Sequence, residues 1–171
     1  VLRQRLERVE GAGKHLLQVL NDVLDLSKVE AGKVLAEDRE FHRDELVAKV
    51  LALVEPAARE KGLALRVETD TLPARLRGDA RLLLQALANL MSNAVKFTAR
   101  GHVLLRAAVE PAPAGDPPPP GQVRVRFEVQ DTGIGVAPER QGALFNAFEQ
   151  GEVSISRRFG GTGLGLALTR H

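Results

Sequence analysis

The stretch Val123-Arg124-Val125-Arg126-Phe127-Glu128-Val129-Gln130-Asp131-Thr132-Gly133-Ile134-Gly135 decides the fold class. Val123, Val125, Phe127 and Val129 alternate with Arg124, Arg126, Glu128 and Gln130, the period of a strand with one face buried and one in water. The strand ends in an acid and two glycines. That order puts a carboxylate at a sheet edge, and glycines let a ligand come close to the backbone. A carboxylate so placed can accept a hydrogen bond from an exocyclic amine such as that of adenine. Asp-Thr-Gly also occurs in aspartic proteases, but those need two such loops and this chain has one.

Working outward, residues 102 to 109 read as a strand, joined to the first by a segment holding six of the nine prolines (Pro111, Pro113 and Pro117 to Pro120). Proline cannot donate to a ladder, so this is an exposed connection between neighbouring strands. Asp79 is a plausible N-cap for a long apolar helix to about Phe97. Asp44 to Lys61 reads as a helix ended by Gly62, with Pro56 expected to kink or shorten it. Leu63 to Thr69 alternates like a strand, with Leu63, Leu65 and Val67 on one face, and residues 34 to 41 read weakly as another. In the first thirty residues Leu2, Leu6, Val9, Leu16, Leu20 and Val23 recur at alternating four and three, with Gly13 in the gap and Gly32 as a stop signal. That is the spacing of helices packed side by side, in a hairpin or a dimer, or of one amphipathic helix lying on its own domain.

Two more clusters carry chemistry. On the long helix, Asn89 and Asn93 are four apart and share a face, with Lys96 close to it. Two amides and an ammonium on an otherwise greasy helix are costly unless they serve a ligand. A carboxamide oxygen suits Mg²⁺, which keeps several waters and leans on phosphate oxygens. The run Gly160-Gly161-Thr162-Gly163-Leu164-Gly165-Leu166 precedes a helical start and exposes backbone N–H groups that favour anions. It has neither the βαβ context of a dinucleotide fingerprint nor a P-loop ending. Between these lie Phe145 and Phe148, spaced to anchor a mobile segment, and Arg157 and Arg158, which could meet phosphate when it closes.

The composition excludes other classes. The chain has 171 residues, 44% hydrophobic and 27% charged, as ordinary globular proteins do. With no Cys there is no disulfide framework and no thiolate nucleophile. Lys+Arg 24 against Asp+Glu 22 leaves a net charge of +2, not a nucleic-acid footprint. Apolar runs such as Leu82 to Leu84 fall far short of the roughly 20 residues that span a bilayer. No nucleic acid and no direct membrane contact are expected, and a cytoplasmic setting is, whether or not a parent protein is anchored in the inner membrane.

In order and spacing, Asn89 to Phe97, Asp131 to Gly135, Phe145 to Phe148 and Gly160 to Gly165 resemble the four boxes of the catalytic and ATP-binding domain of bacterial sensor histidine kinases, within the GHKL superfamily. Residues 21 to 33 resemble the end of the second dimerisation helix of hybrid kinases. The resemblance implies an α+β fold: a two-layer α/β sandwich with a mixed sheet (Bergerat-type), preceded by a dimerisation-hairpin helix. Residues 1–32 would be that helix and 33–171 the catalytic domain, cut short at its C-terminus. It implies ATP and Mg²⁺, with Asn93 on the metal and Asn89 and Lys96 at the phosphates. Asp131 would bind the adenine amine in a pocket shaped by Gly133 and Gly135. Residues 137 to 159 would form the lid, and Phe148, Arg158, Gly161, Thr162, Gly163, Leu164 and Gly165 would complete the nucleotide set.

The implied activity is transfer of the ATP γ-phosphate to a histidine outside this chain, for relay to a response-regulator aspartate. The implied partners are the parent's histidine-containing dimerisation domain, a receiver domain, and a second copy through the helical hairpin. His15, His42, His102 and His171 all lack the acidic residue and Arg-Thr-Pro-Leu-like run that follow the family's acceptor. Hydrolytic relatives carry a Glu where Asn89 stands, and an amide cannot take up a proton at neutral pH. A nucleotide-binding regulatory module without kinase activity, or an ATP-hydrolysing machine, are the alternative functions.

Overall fold

A computed structural model describes residues 37–142, except 70, 112–114, 116 and 117, together with Val9, Gly13, Leu16, Leu17 and Leu20. The chain divides into two units, Ala36–Val136 and a second made of Val1–Leu35 and Ala137–His171. In the second unit the five isolated positions are helical, and Val9, Leu16, Leu17 and Leu20 are largely exposed. The same unit holds a short helix, Pro138–Gln141, with Glu139 in its first turn. Among the described residues no helix is long and apolar enough to cross a membrane.

The first unit contains strand β1 (Arg39–His42), helix α1 (Arg43–Glu60), strands β2 (Ala64–Glu68) and β3 (Arg75–Gly78), helix α2 (Ala80–Phe97), and strands β4 (His102–Glu110) and β5 (Arg124–Asp131). Helix α1 runs through Pro56 to Glu60, so the expected shortening does not occur. Proline removes the donor to the carbonyl four residues back. That residue, Ala52, is exposed, as Pro56 is, and water can serve the carbonyl. The helix closes in a Schellman motif: Gly62 N–H donates to Arg59 O (3.1 Å) and Leu63 N–H to Ala58 O (2.9 Å), with Leu63 and Ala58 both buried. This turns the chain straight into β2.

Strands β2, β4 and β5 form one sheet in that order, β2 parallel and β5 antiparallel to β4, which makes the sheet mixed. Its inner face carries Leu65, Val103, Leu105, Ala107, Phe127 and Val129. Against them pack Leu46, Val47, Val50, Val54 and Ala58 of α1 and Leu87, Met91, Ala94 and Val95 of α2. The outer face is a ladder of charges, with Arg106 between Glu68 (2.8 Å) and Glu128 (3.9 Å). Val67, expected inside and one residue before the end of β2, is 38% exposed.

The early strand falls at Arg39–His42, later than the 34 to 41 expected, and pairs with β3, which sequence reading did not foresee. In Arg75-Leu76-Arg77-Gly78 a single apolar residue gives no period to detect. The pair is held by the ladder and by exposed ion pairs Arg75–Glu40 (3.2 Å) and Arg77–Asp38 (3.0 Å), each worth little by itself.

Asp79 caps α2 as its position predicts. Its Oδ1 accepts from Leu82 N–H (2.9 Å), and its Oδ2 accepts from Glu37 N–H (3.0 Å), tying the segment before β1 to the start of the helix. These bonds hold its carboxyl below the usual 3.8. The ionised form is therefore favoured by folding, a contribution complete above pH 3.8 and lost as pH falls through the lowered folded value. Asp79→Ala should destabilise the fold by about 1 kcal/mol at neutral pH. The deficit should narrow in acid, as read by urea unfolding at several pH values.

Candidate functional site

The inner row of β5 runs Val125, Phe127, Val129, and its next member is Asp131. Register places Val129 opposite Leu105 and Asp131 opposite Val103, so the carboxylate follows the apolar row on the face that meets the helices. Asp131 Oδ1 accepts from Gly133 N–H (2.7 Å) and from the hydroxyl of Thr98 (3.4 Å), a residue wholly buried just beyond α2. The loop after Asp131 is stitched to the α2–β4 connection. Ile134 N–H donates to Phe97 O (3.4 Å), and Thr132 N–H donates to His102 O (3.3 Å). The Thr132 hydroxyl accepts from His102 N–H (3.1 Å).

Gly133 is required by close approach. A Cβ there would lie 2.6 Å from both the Phe97 carbonyl oxygen and Asp131 Oδ1. Gly135 has open space around it but sits at φ +68°, a conformation that side chains disfavour.

Helix α2 supplies the other half. With Leu87, Met91, Ala94 and Val95 turned into the core, the 100° step per residue carries Asn89, Asn93 and Lys96 to the opposite side, where all three are half-buried. Asn93 lies roughly 6 Å along the axis from Phe97 and Asn89 roughly 12 Å. The Lys96 ammonium sits 5.0 Å from the centre of the Phe97 ring, within cation–π range. Burial pushes the Lys96 pKa below its usual 10.5.

The structure thus ties the loop after Asp131 to Phe97 and Thr98, at the C-terminal end of the helix whose outward face carries Asn89, Asn93 and Lys96. Phe148, Arg158, Gly161, Thr162, Gly163, Leu164 and Gly165 lie outside the described residues, as does most of the expected lid. Two further residues, Thr98 and Lys61, support the site without being singled out by the sequence. Thr98 carries no signal beyond following the helix. Lys61 reads as a basic residue at the end of α1, whereas its ammonium reaches the end of α2, donating to Val95 O (2.8 Å), Lys96 O (2.8 Å) and Thr98 O (3.3 Å).

Residues 78–171 match the family described as Histidine kinase-, DNA gyrase B-, and HSP90-like ATPase. The chain belongs to that family. Among its relatives, the sensory/regulatory protein RpfC of Xanthomonas campestris pv. campestris is 41% identical over 169 residues, and the circadian input-output histidine kinase CikA of Synechococcus elongatus is 42% identical over 171. Each alignment takes in 98% of this chain but only 23% and 21% of those proteins, so the chain spans under a quarter of their length. Among solved structures, full-length ShkA in complex with AMPPNP is similar at TM-score 0.76 and 35% identity, covering 97% of this chain and 32% of that one. The catalytic domain of the histidine kinase ThkA, in a nucleotide-free form, is similar at TM-score 0.61 and 27% identity, covering 78% of each chain. The mixed sheet and its helices are therefore those of histidine kinase catalytic domains.

The two glycines of this ATPase-family loop should respond differently to alanine. Gly133→Ala meets backbone and should cost about 2–3 kcal/mol. Gly135→Ala meets only its own torsional preference and should cost about 1 kcal/mol. Chemical denaturation of both variants checks the order.

Proposed function

We propose that this ATPase-family domain binds Mg-ATP over the Asn89–Asn93–Lys96 face and the Asp131 loop, and passes the γ-phosphoryl group to a histidine outside this chain. That histidine would relay the group to a response-regulator aspartate. The observation that carries the reading is a carboxylate loop bonded to the last turn of the helix that bears the amide-and-ammonium face.

Asp131 Oδ1 accepts from two donors, Gly133 N–H and the Thr98 hydroxyl, and Oδ2 would accept from a further one. The adenine amine supplies one, while guanine presents a carbonyl at the equivalent position and is rejected. Phosphates then lie toward Asn93, Lys96 and Asn89. The described residues hold no group of three or more His, Cys, Asp or Glu side chains fit for a metal ion. A cation here would lean on phosphate oxygens and the Asn93 carboxamide oxygen, a donor set that fits Mg²⁺. When bound, Mg²⁺ neutralises charge on the β- and γ-phosphates.

In the transfer the acceptor imidazole nitrogen forms a bond to Pγ as the Pγ–O bond to ADP breaks. The work of this domain is positioning and charge stabilisation. Asn89 cannot act as a base on water, which supports transfer over hydrolysis. The similarity to ShkA, solved with AMPPNP, supports the ligand, and the names of RpfC and CikA support a signalling role. His42 is the exposed residue before α1 and His102 opens β4, so neither stands in an acceptor context. The exposed apolar stripe Val9, Leu16, Leu17 and Leu20 supports residues 1–32 as a dimerisation helix and 33–171 as the catalytic domain.

Asp131→Asn and Asn93→Asp should each abolish Mg-ATP binding by calorimetry, and unchanged affinity would sink the site. Mixing the domain with a separate dimerisation domain that carries the acceptor histidine should give ATP-dependent phosphohistidine. Steady phosphate release without it would point to hydrolysis instead.

Lys96 adds a pH test. Its cation is disfavoured by burial in the free protein, and a triphosphate would favour it again. Binding therefore takes up a proton at alkaline pH, and affinity should fall as pH rises toward 10.5. Lys96→Met should bind weakly with a flat profile over that range.

A further inference from the structure

We infer that Lys61 is a positioning residue for the nucleotide site, acting through the last turn of α2. The inference rests on the nucleotide reading of the Asn89–Asn93–Lys96 face and the Asp131 loop.

The last carbonyls of a helix lack partners within it, and their dipoles leave a partial negative charge at that end. In α2, Thr98 N–H serves Ala94 O (3.1 Å) and Ile134 N–H serves Phe97 O (3.4 Å). The remaining carbonyls of the turn, those of Val95, Lys96 and Thr98, all accept from one ammonium, Lys61 Nζ, at 2.8, 2.8 and 3.3 Å. One point charge with three donors matches three converging carbonyls.

Lys61 is itself held in place. It is the C-cap of α1, where its N–H donates to Ala57 O (3.3 Å), and the Schellman turn at Gly62 and Leu63 locks the backbone that follows it. The anchored ammonium grips the one turn whose residues reach the site from two sides. Lys96 belongs to the half-buried polar face, while the Phe97 carbonyl and Thr98 hydroxyl support Ile134 and Asp131. If that turn frays, Lys96 and the Asp131 loop lose their common support. Lys61 touches no reacting atom in this arrangement, and it acts only through those residues.

The test uses the full-length parent protein with Lys61→Gln, which removes the charge and one of the three donors, and Lys61→Arg, which keeps a charge with several donors. Lys61→Gln should weaken Mg-ATP binding roughly tenfold and raise the KM for ATP more than it lowers kcat. Lys61→Arg should restore most of the affinity. Amide exchange at Lys96, Phe97 and Thr98 should quicken in Lys61→Gln and return in Lys61→Arg. Affinity within twofold of wild type in Lys61→Gln, whatever its thermal midpoint, overturns the inference. Equal losses in both variants overturn it too, because shape rather than charge would then matter. If the wild-type protein itself binds no Mg-ATP, the site reading fails instead, and the exchange rates still decide whether Lys61 caps the turn.

Discussion

Every carbonyl from Ala94 to Thr98 has a hydrogen-bond partner, and the arrangement of the site depends on that turn. Buried backbone acceptors left unmet cost free energy on the scale of a lost hydrogen bond, so the end of a helix set into a core must find donors from elsewhere. Here Thr98 N–H closes the turn locally, and the other donors come from two places distant in sequence: Lys61 at the end of α1 and Ile134 in the loop after β5. Satisfying one helix end therefore draws together α1, α2 and β5.

The same helix divides its work by face. Leu87 and Met91 are almost wholly buried against the sheet, which fixes the rotation of α2 about its axis. Once that rotation is set, Asn89, Asn93 and Lys96 have nowhere to go but the opposite, half-buried side. Their partial withdrawal from water is what makes an amide oxygen or an ammonium useful to a phosphate, because interactions between charges strengthen as solvent is excluded. It also explains the depressed Lys96 pKa, since burial disfavours the cation. Packing on one face thus produces the electrostatics of the other.

Much of this was legible in the residues. The alternation Val123 to Val129 located β5 and put Asp131 at its end. The Asp79 cap and the period of residues 80 to 97 located α2, and Gly62 marked the end of α1. What escaped reading was short or non-local. Strand β3 holds one apolar residue and exists because β1 lies beside it. Pro56 reads as a helix breaker but sits in an exposed turn, where the carbonyl that loses its donor is open to solvent. Lys61 reads as a basic residue at the end of its own helix, and its reach to the neighbouring one follows only from how α1 and α2 pack.

The sequence by itself determined the periodic elements and the chemical types of the candidate site: two amides, an ammonium, a carboxylate and two glycines at recognisable spacings. These are local properties, set by side-chain period, capping and turn chemistry. Only the tertiary structure decided that the Asp131 loop is bonded to the end of the helix that carries Asn89, Asn93 and Lys96. It also decided that Gly133 must be glycine because Phe97 O lies against it, and that Thr98 and Lys61 support the junction. Those facts depend on carbonyls and side chains brought together from 33 to 37 positions apart. Such a contact leaves no period in the chain, since it is fixed by the packing of helices on the sheet.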